Sequence, residues 1–594
     1  MKKITMSRPS STIVILLTVL YVTLSAGVLQ AEKYDIVKDG KLTDHARFVG
    51  VFHPQRDQKD DGTFTFGRLY NFLYAGAGFT SPDARIYVRL SLGKPNSPTA
   101  AILSVNSMDV ALTQEDDARF RVSYGVKDFN NGSMASTHVG QVLPKILPGQ
   151  PFEIEVILKD GGLICNVNGK EACHIPKCPQ LKNMQPKETT ASQGVDLIVA
   201  LRPWQEEEMK VYDFHVETSG MIVELPEIQD VFKSARSLRQ EERKKETTNL
   251  YRIPALAVTK KGTLLAFAEG RRDSAADHGN IDAVVKRSED GGKTWGPEIV
   301  VADDGNNTMG NPCPVVDQDT GRIWLHLCWN ADKPPNGGYK PGFGEDSRRA
   351  FVTYSDDDGM TWATPKEITR HVKKENWSWY ATGPCAGIQL TRGKYKGRLI
   401  IPATHVAHVP EAGQLNRGFI VYSDDHGETW KIGAPTQDGH NEATAVELED
   451  GQVMLNCRLH GNATQNQSHR GVSISRDGGE TFYHHYFDQT LLEPRCQGSL
   501  QRVRWAADGK PGVIAFSNPA WPWRTHVMVR YSYDDGKTWP AGRMIYPWTS
   551  AYSAVTVLPD GRVAVMFEKD WWGSLGLAIL PLPQPDPPAP KEKK

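Results

Sequence analysis

The stretch YSDDHGETW, Tyr422 to Trp430, returns almost unchanged as YSYDDGKTW at Tyr531 to Trp539. The spacing Ser-x-Asp-x-Gly-x-Thr-Trp occurs again at Ser288 to Trp295 (SEDGGKTW) and at Ser355 to Trp362 (SDDDGMTW). A fifth copy, SRDGGETF at Ser475 to Phe482, puts Phe where the others have Trp. Ser and Asp side chains accept hydrogen bonds from turn amides, and Gly takes positive φ without steric cost. The aromatic residue then returns to a sheet as an apolar anchor. The residues ahead of each copy (DAVVKRS, RAFVTYS, GFIVYS, RGVSIS, HVMVRYS) mix β-branched, aromatic and polar positions, as strands do. Each copy therefore reads as strand, turn, strand.

The copies begin at 288, 355, 423, 475 and 532, which gives spacings of 67, 68, 52 and 57. Units of this size are too small to bury a core alone, and they fit the blades of a β-propeller. The repeating segment runs from Asn249 to Leu582. At about 55 residues per blade it predicts a six-bladed β-propeller, with one blade lacking a box. The boxes read as structural turns and not as the carriers of chemistry.

A chain of 594 residues with 39% hydrophobic content holds more than one domain. Lys and Arg total 69 against 70 for Asp and Glu, so no overall basic bias points to nucleic acid. Lys2, Lys3 and Arg8 precede an apolar run from Thr12 to Leu29, and Leu29-Gln30-Ala31 offers a small residue for cleavage before Glu32. Residues 1–31 thus read as a signal peptide, and the protein as exported to the periplasm, cell envelope or medium; membrane contact is expected only if that signal is left uncleaved. Eight cysteines follow, and export permits disulfides whose pairing the sequence does not give. No Cys or His spacing suggests a metal site, and no cofactor motif appears.

Residues 32–220 contain no box. RIYVRLSL, AAILSVNS, RFRVSYGV, FEIEVILKDGGLICNVNGKEA and VDLIVAL alternate in polarity between turn signals, which predicts an antiparallel β-sandwich. KDGGLICNVNGKE resembles a hairpin of the concanavalin-like or laminin-G-like sandwich. Residues 221–248 are charged and rich in helix formers, and read as a helical connector. The tail, residues 583–594, is proline-rich and reads as disordered. The expected class is all-β: a six-bladed propeller over 249–582 preceded by the sandwich.

The chemistry must lie outside the boxes. YRIPAL, Tyr251 to Leu256, opens the propeller, and Arg-Ile-Pro followed by several boxes resembles the sialidase (neuraminidase) superfamily. The resemblance covers 249–582 and leaves the first third unexplained. It implies a triad of arginines that clamps a substrate carboxylate, a task suited to the planar, forked guanidinium. By motif these are Arg252 of Arg-Ile-Pro, Arg458 of NEATAVELEDGQVMLNCR and Arg524 of SNPAWPWRTHVMVRYSYDDGKTW. The nucleophile segment resembles SAYSAVTVLPDGRVAVMFE, which makes Tyr552 the candidate, Glu442 its base and Glu568 the support for Arg252. A tyrosine suits a sugar whose carboxylate sits on the anomeric carbon, where an attacking carboxylate would meet like charge.

The resemblance also implies a loop aspartate as proton donor. FAEGRRDSAADHGNID offers Asp273, Asp277 and Asp282. Asp277, six residues after Arg271 and followed by HGN, fits best, and Asp273 is the runner-up. Its pKa is expected to be raised by a partly apolar pocket. Arg271 resembles the arginine near the sugar's 4-hydroxyl. Asn311 stands where several relatives have an aspartate. Gly383-Pro384-Cys385-Ala386-Gly387 replaces a frequent Gly-Pro-Gly-His-Gly on the glycerol and N-acyl side. Trp329, Trp377 and Trp379 are candidates for an apolar N-acyl pocket or for packing. The expected activity is exo-sialidase hydrolysis of sialylated glycoproteins, glycolipids or oligosaccharides. Trans-sialidase, a related keto-sugar acid hydrolase and a non-catalytic glycan-binding propeller remain the alternatives.

Overall fold

The structure, a computed structural model, describes residues 32–583 except 236–247, 337, 461–468, 522–523, 571 and several segments ahead of residue 222. The described residues are almost entirely strand, with a single four-residue helix at Thr369–Val372. The expected signal peptide lies outside the described residues, as does the tail from 584 on.

From Leu250 onward the strands pair antiparallel, apart from one parallel bridge between Ile281 and Thr308, and almost always with their sequence neighbours. Traced in chain order they fall into six sets of four main strands. The first runs from Leu250–Val258 to Ile299–Ala302, the second from Thr308–Val316 to Lys366–Glu367 and the third from Trp377–Thr382 to Lys431–Ile432. The fourth runs from His440–Glu447 to His484–Leu492. The long strand Ala541–Val557 serves the last two: its first half pairs with Thr525–Ser532 and its second half with Val563–Lys569. The sixth set is completed outside by Gln229–Lys233, which pairs with Ser574–Leu580. The architecture is all-β and of propeller type.

The boxes show how the sets are joined. In every copy the Ser hydroxyl donates to the Asp, the Gly amide donates to the Ser, and the Asp accepts from the Thr amide and hydroxyl; in the third copy Thr429 N lies 2.9 Å and Thr429 Oγ1 2.6 Å from Asp425. The box Gly has φ of +94° at Gly427, and a Cβ there would lie 2.2 Å from the Trp324 ring of the preceding set. The same relation puts Gly359 on Leu265, Gly479 on Ile420 and Gly536 on Met454. Gly292, in the first set, meets Ile579 and Leu577 of the last, so the ring closes through the same contact. The boxes are joints between neighbouring sets, which is why a side chain is excluded at the glycine.

Ahead of this ring, two antiparallel sheets share one apolar core, with Ile86, Val88 and Val156 from one sheet facing Leu73, Leu103 and Leu201 of the other. Asp160-Gly161 and Asn168-Gly169 all have positive φ and turn two successive hairpins of the first sheet. The helix expected over 221–248 is corrected in its described part. Ile222–Glu224 pairs with Ala77–Phe79, and Gln229–Lys233 is the outer strand of the last set; residues 236–247 lie outside the described residues. An available sheet edge overrides helix propensity here.

Candidate active site

Four innermost strands share an irregularity, close to the strand start in three of them and at the midpoint of the long Ala541–Val557 strand in the fourth. The register shifts between Arg252 and Ala255, Gly310 and Cys313, His440 and Ala443, and Ser550 and Ser553. A bulge re-aims side chains, and each of these four carries one expected site residue: Arg252, Asn311, Glu442 and Tyr552. Ile253 and Asn311 take positive φ (+56° and +53°) within their bulges. For a β-branched residue such as Ile253 this is strain of the kind found at functional sites. It is held by the Ile253 amide donating to Glu568 Oε1 at 3.0 Å.

Tyr552 is the centre of the cluster. Its ring packs with Ile253, Cys496 and Ala551. Its hydroxyl donates to Glu442 Oε1 at 2.5 Å and accepts from Arg458 Nη1 at 3.0 Å. Arg458 Nη1 also donates to Glu442 Oε2 at 2.6 Å. The guanidiniums of Arg252 and Arg524 each lie 5.5 Å from the Tyr552 ring centroid. All three expected arginines therefore converge on one phenol. Burial, then the Glu442 carboxylate, raise the phenol's pKa well above its ordinary value, against the lowering by Arg458 and Arg524. In this state it is a protonated donor to Glu442.

Arg252 is buried and held by Glu568, with Nε at 3.0 Å from Oε1, as the sequence predicts. Glu568 Oε2 accepts from Trp572 Nε1 at 3.1 Å, and the Trp572 ring lies 4.5 Å from the Arg252 guanidinium. Arg524 donates to the Arg495 carbonyl at 3.0 Å and has no carboxylate partner among the described residues.

Asp277 lies on its loop with the side chain 73% exposed. Its Oδ1 is 3.2 Å from Arg252 Nη1 and 2.8 Å from Arg271 Nη1. The expectation of a raised pKa is corrected: partial desolvation among the surrounding groups raises it even though the side chain stays open to solvent, but Arg271 and Arg252 lower it more, and the net direction is down. Asp282 is buried against Arg272, and Asp273 offers only its carbonyl, to Asn249; neither carboxylate joins the cluster.

Arg271 is fixed by Glu269, with Nη2 to Oε2 at 2.7 Å, and by the carbonyls of Ala275 and Ala276. Glu269 Oε1 in turn accepts from the Asn311 amide at 2.8 Å. That approach requires Gly310, where a Cβ would lie 2.5 Å from Glu269 Oε1.

Asn311 leads to a residue the sequence did not single out. Arg348 is buried, donates from Nη2 to Asn311 Oδ1 at 3.3 Å and to Cys328 Sγ at 2.6 Å, and stacks on Trp379 at 4.0 Å. Of the three tryptophans considered for an apolar pocket, Trp377 is core, stacked on His405, and Trp329 is buried and bonded to Asp304. Only Trp379 is half-buried, and a cation lies on its ring. Arg348 is adjacent to Arg349 in sequence, and only strand register decides which of the two points inward. Trp572 had no separate signal either, whereas Glu269 belongs to the Glu-x-Arg segment that precedes the acid loop.

Behind Arg458, Arg470 and Glu493 form a fully buried ion pair at 3.2 Å. Glu493 also accepts from the amides of Leu459 and Cys496, tying the strand of Arg458 to the segment that packs on Tyr552.

Residues 262–565 match the family model described as a BNR repeat-like domain. The chain is 34% identical over 331 residues to the sialidase of Micromonospora viridifaciens, covering 54% of this chain and 50% of that protein. It is 31% identical over 348 residues to an exo-alpha-sialidase of Aspergillus fumigatus, covering 54% of this chain and 79% of the relative. The match thus spans half the length of the bacterial relative and most of the fungal one. A solved Hadza microbial sialidase superposes with a TM-score of 0.55 at 22% identity, over 85% of this chain and 94% of its own. A leech intramolecular trans-sialidase gives 0.51 at 14% identity, over 93% and 97%; both likenesses concern the fold alone. The family match over residues 262–565 and the 31% identity to a relative covered over 79% of its length place this chain in the sialidase family built on BNR repeats.

Proposed function

We propose that the protein is an exo-alpha-sialidase that releases terminal sialic acids with retention of configuration. The observation that carries this reading is the convergence of Arg252, Arg458 and Arg524 on Tyr552, whose hydroxyl is already bonded to Glu442. The three guanidiniums bind the substrate carboxylate and so place the anomeric carbon over the phenol. Tyr552 Oη then forms a bond to that carbon as its proton passes to Glu442, the aglycone oxygen leaves, and Asp277 supplies the proton it needs. In the second half, water attacks the anomeric carbon, Asp277 takes its proton, and Glu442 returns a proton to the departing phenolate.

The resting ion pairs of Asp277 fit this sequence. A substrate carboxylate that engages Arg252 competes with Asp277 for it, which removes one of the cations holding the acid ionised. The substrates are sialylated glycoproteins, glycolipids or oligosaccharides, and the protein meets them after export. The two-sheet unit before the ring is a separate module that plays no part in the chemistry, since every residue named above lies after it. Hydrolysis of a fluorogenic aryl sialoside by purified protein, with the first-formed anomer read by NMR, tests the proposal. Release of the alpha anomer is expected; no turnover, or the beta anomer first, would refute it. Addition of acceptor sugars separates hydrolysis from transfer.

A further inference from the structure

Trp572 is a bulky residue held in a backbone conformation that suits glycine. Its φ is +66°, and Asp570, two residues earlier in the same turn, has φ of +56°. A large side chain in the left-handed region is an outlier, and such strain persists only where the surrounding structure imposes it. Here the turn is fixed from both sides. It joins Val563–Lys569 to Ser574–Leu580, and the Gly573 amide closes it on the carbonyls of Lys569 (2.9 Å) and Asp570 (3.1 Å). The Asp570 amide donates to the Thr549 carbonyl at 3.0 Å, and the Tyr546 hydroxyl donates to Asp570 Oδ1. Lys569 Nζ pairs with Asp230 at 2.8 Å.

The strained backbone brings one indole to one cation. The Trp572 ring lies 4.5 Å from the Arg252 guanidinium. Its Nε1 donates to Glu568 Oε2 at 3.1 Å, and Arg252 Nη2 and the Tyr552 amide reach the same oxygen at 3.4 Å. The other oxygen, Glu568 Oε1, accepts from Arg252 Nε and the Ile253 amide, each at 3.0 Å. One buried carboxylate therefore joins two strained residues, Ile253 and Trp572, to both Arg252 and Tyr552. Glu568 takes the Nε and Nη2 edge of Arg252, and Nη1, 3.2 Å from Asp277, is left as the nitrogen a substrate carboxylate can reach. Trp572 is half-buried while Arg252 is buried, so the indole is part of the cover that keeps water from the guanidinium. A shielded cation attracts a carboxylate more strongly than a hydrated one, and an aromatic face holds it without neutralising it.

We infer that Trp572 is a positioning residue for substrate binding, whose ring holds and shields Arg252 and so sets the affinity for the substrate carboxylate. It acts through Arg252 and not on the reacting atoms. The inference rests on the sialidase reading and adds to it a residue outside the three arginines. It also gives the strained turn a purpose, because a relaxed glycine at 572 would carry no ring.

The test measures kcat and KM of the full chain on an aryl sialoside, with thermal melting as the check on folding. Trp572→Gly deletes the ring at a position whose φ suits glycine. Its KM should rise about tenfold, as expected for losing a desolvated contact between cation and ring, with kcat changed less. Trp572→Phe keeps a ring for Arg252 and loses the Nε1 donor, so its KM should stay much nearer to wild type. A merely structural residue would lower the melting temperature in both variants and leave KM alone. A KM within about twofold of wild type in folded Trp572→Gly, or equal rises in the two variants, would overturn the assignment. Should Trp572→Gly fail to fold, Trp572→Leu takes its place in the same comparison with Trp572→Phe. Absence of turnover by the wild-type protein would instead strike at the sialidase reading itself, and the assignment would fall with it.

Discussion

A buried phenol beside a carboxylate is a weak nucleophile, and Tyr552 is raised by both influences. Its proton must leave as the bond to carbon forms, and Glu442, 2.5 Å away, is placed to take it. Tyr552→Phe keeps the ring and its packing on Ile253 and Cys496, so folding should be unchanged while turnover falls by several orders of magnitude. Arg458→Lys retains charge but loses the Nη1 that serves both Glu442 and Tyr552 and the fork that would bind a substrate carboxylate, so the variant should need more substrate as well as turn over more slowly. Asp277 gives a pH signature. Free enzyme holds it below its usual range through Arg271 and Arg252, whereas bound substrate engages Arg252. Because the acid must be protonated to act, activity falls as pH rises through its pKa. The descending limb of kcat, which reports the complex, should therefore lie at higher pH than that of kcat/KM, which reports the free enzyme. Coincident or inverted limbs would argue against Asp277 as the acid.

At the scale of elements, boxes and bulges have opposite duties. A box ends the third strand of its set and packs on the preceding set, whereas the bulges hold the chemistry at the other end of the strands. Asp425→Ala removes the acceptor for Ser423 and for the amide and hydroxyl of Thr429, and should cost on the order of 1–2 kcal/mol with normal turnover in what remains folded. A folded, fully stable Asp425→Ala protein without turnover would overturn the scaffold reading. Glu493→Ala leaves Arg470 buried without its counter-charge and should cost about 3–5 kcal/mol by denaturant titration. The boxes and most of the cluster were legible because each is a short run of residue types at fixed spacing. What was not legible depends on pairing across the chain. The segment before Lys233 has helical composition, but the free edge of Ser574–Leu580 takes it as a strand. The choice between Arg348 and Arg349 is one of register, and the direction of the Asp277 shift depends on two arginines brought to one oxygen.

For the molecule as a whole, all the proposed chemistry lies in the ring, and no described residue of the two sheets before it bonds to any of it. Removal of residues 32–220 unpairs Ile222–Glu224 from Ala77–Phe79 but leaves Gln229–Lys233 on the last set. The folded truncation should keep full activity on a small soluble sialoside; if the sheets bind glycans, it should lose activity only on polymeric or surface-bound substrate. Equal loss on both would contradict this division.

The central claim is that Tyr552 becomes covalently bound to the sugar. A 3-fluorosialosyl fluoride, whose ring fluorine slows breakdown of the intermediate, should add one sugar to the intact mass of the wild-type protein and none to Tyr552→Phe. Peptide mapping should then place that sugar on Tyr552, whereas a label on any other residue, or near-normal retaining turnover by Tyr552→Phe, would contradict the account.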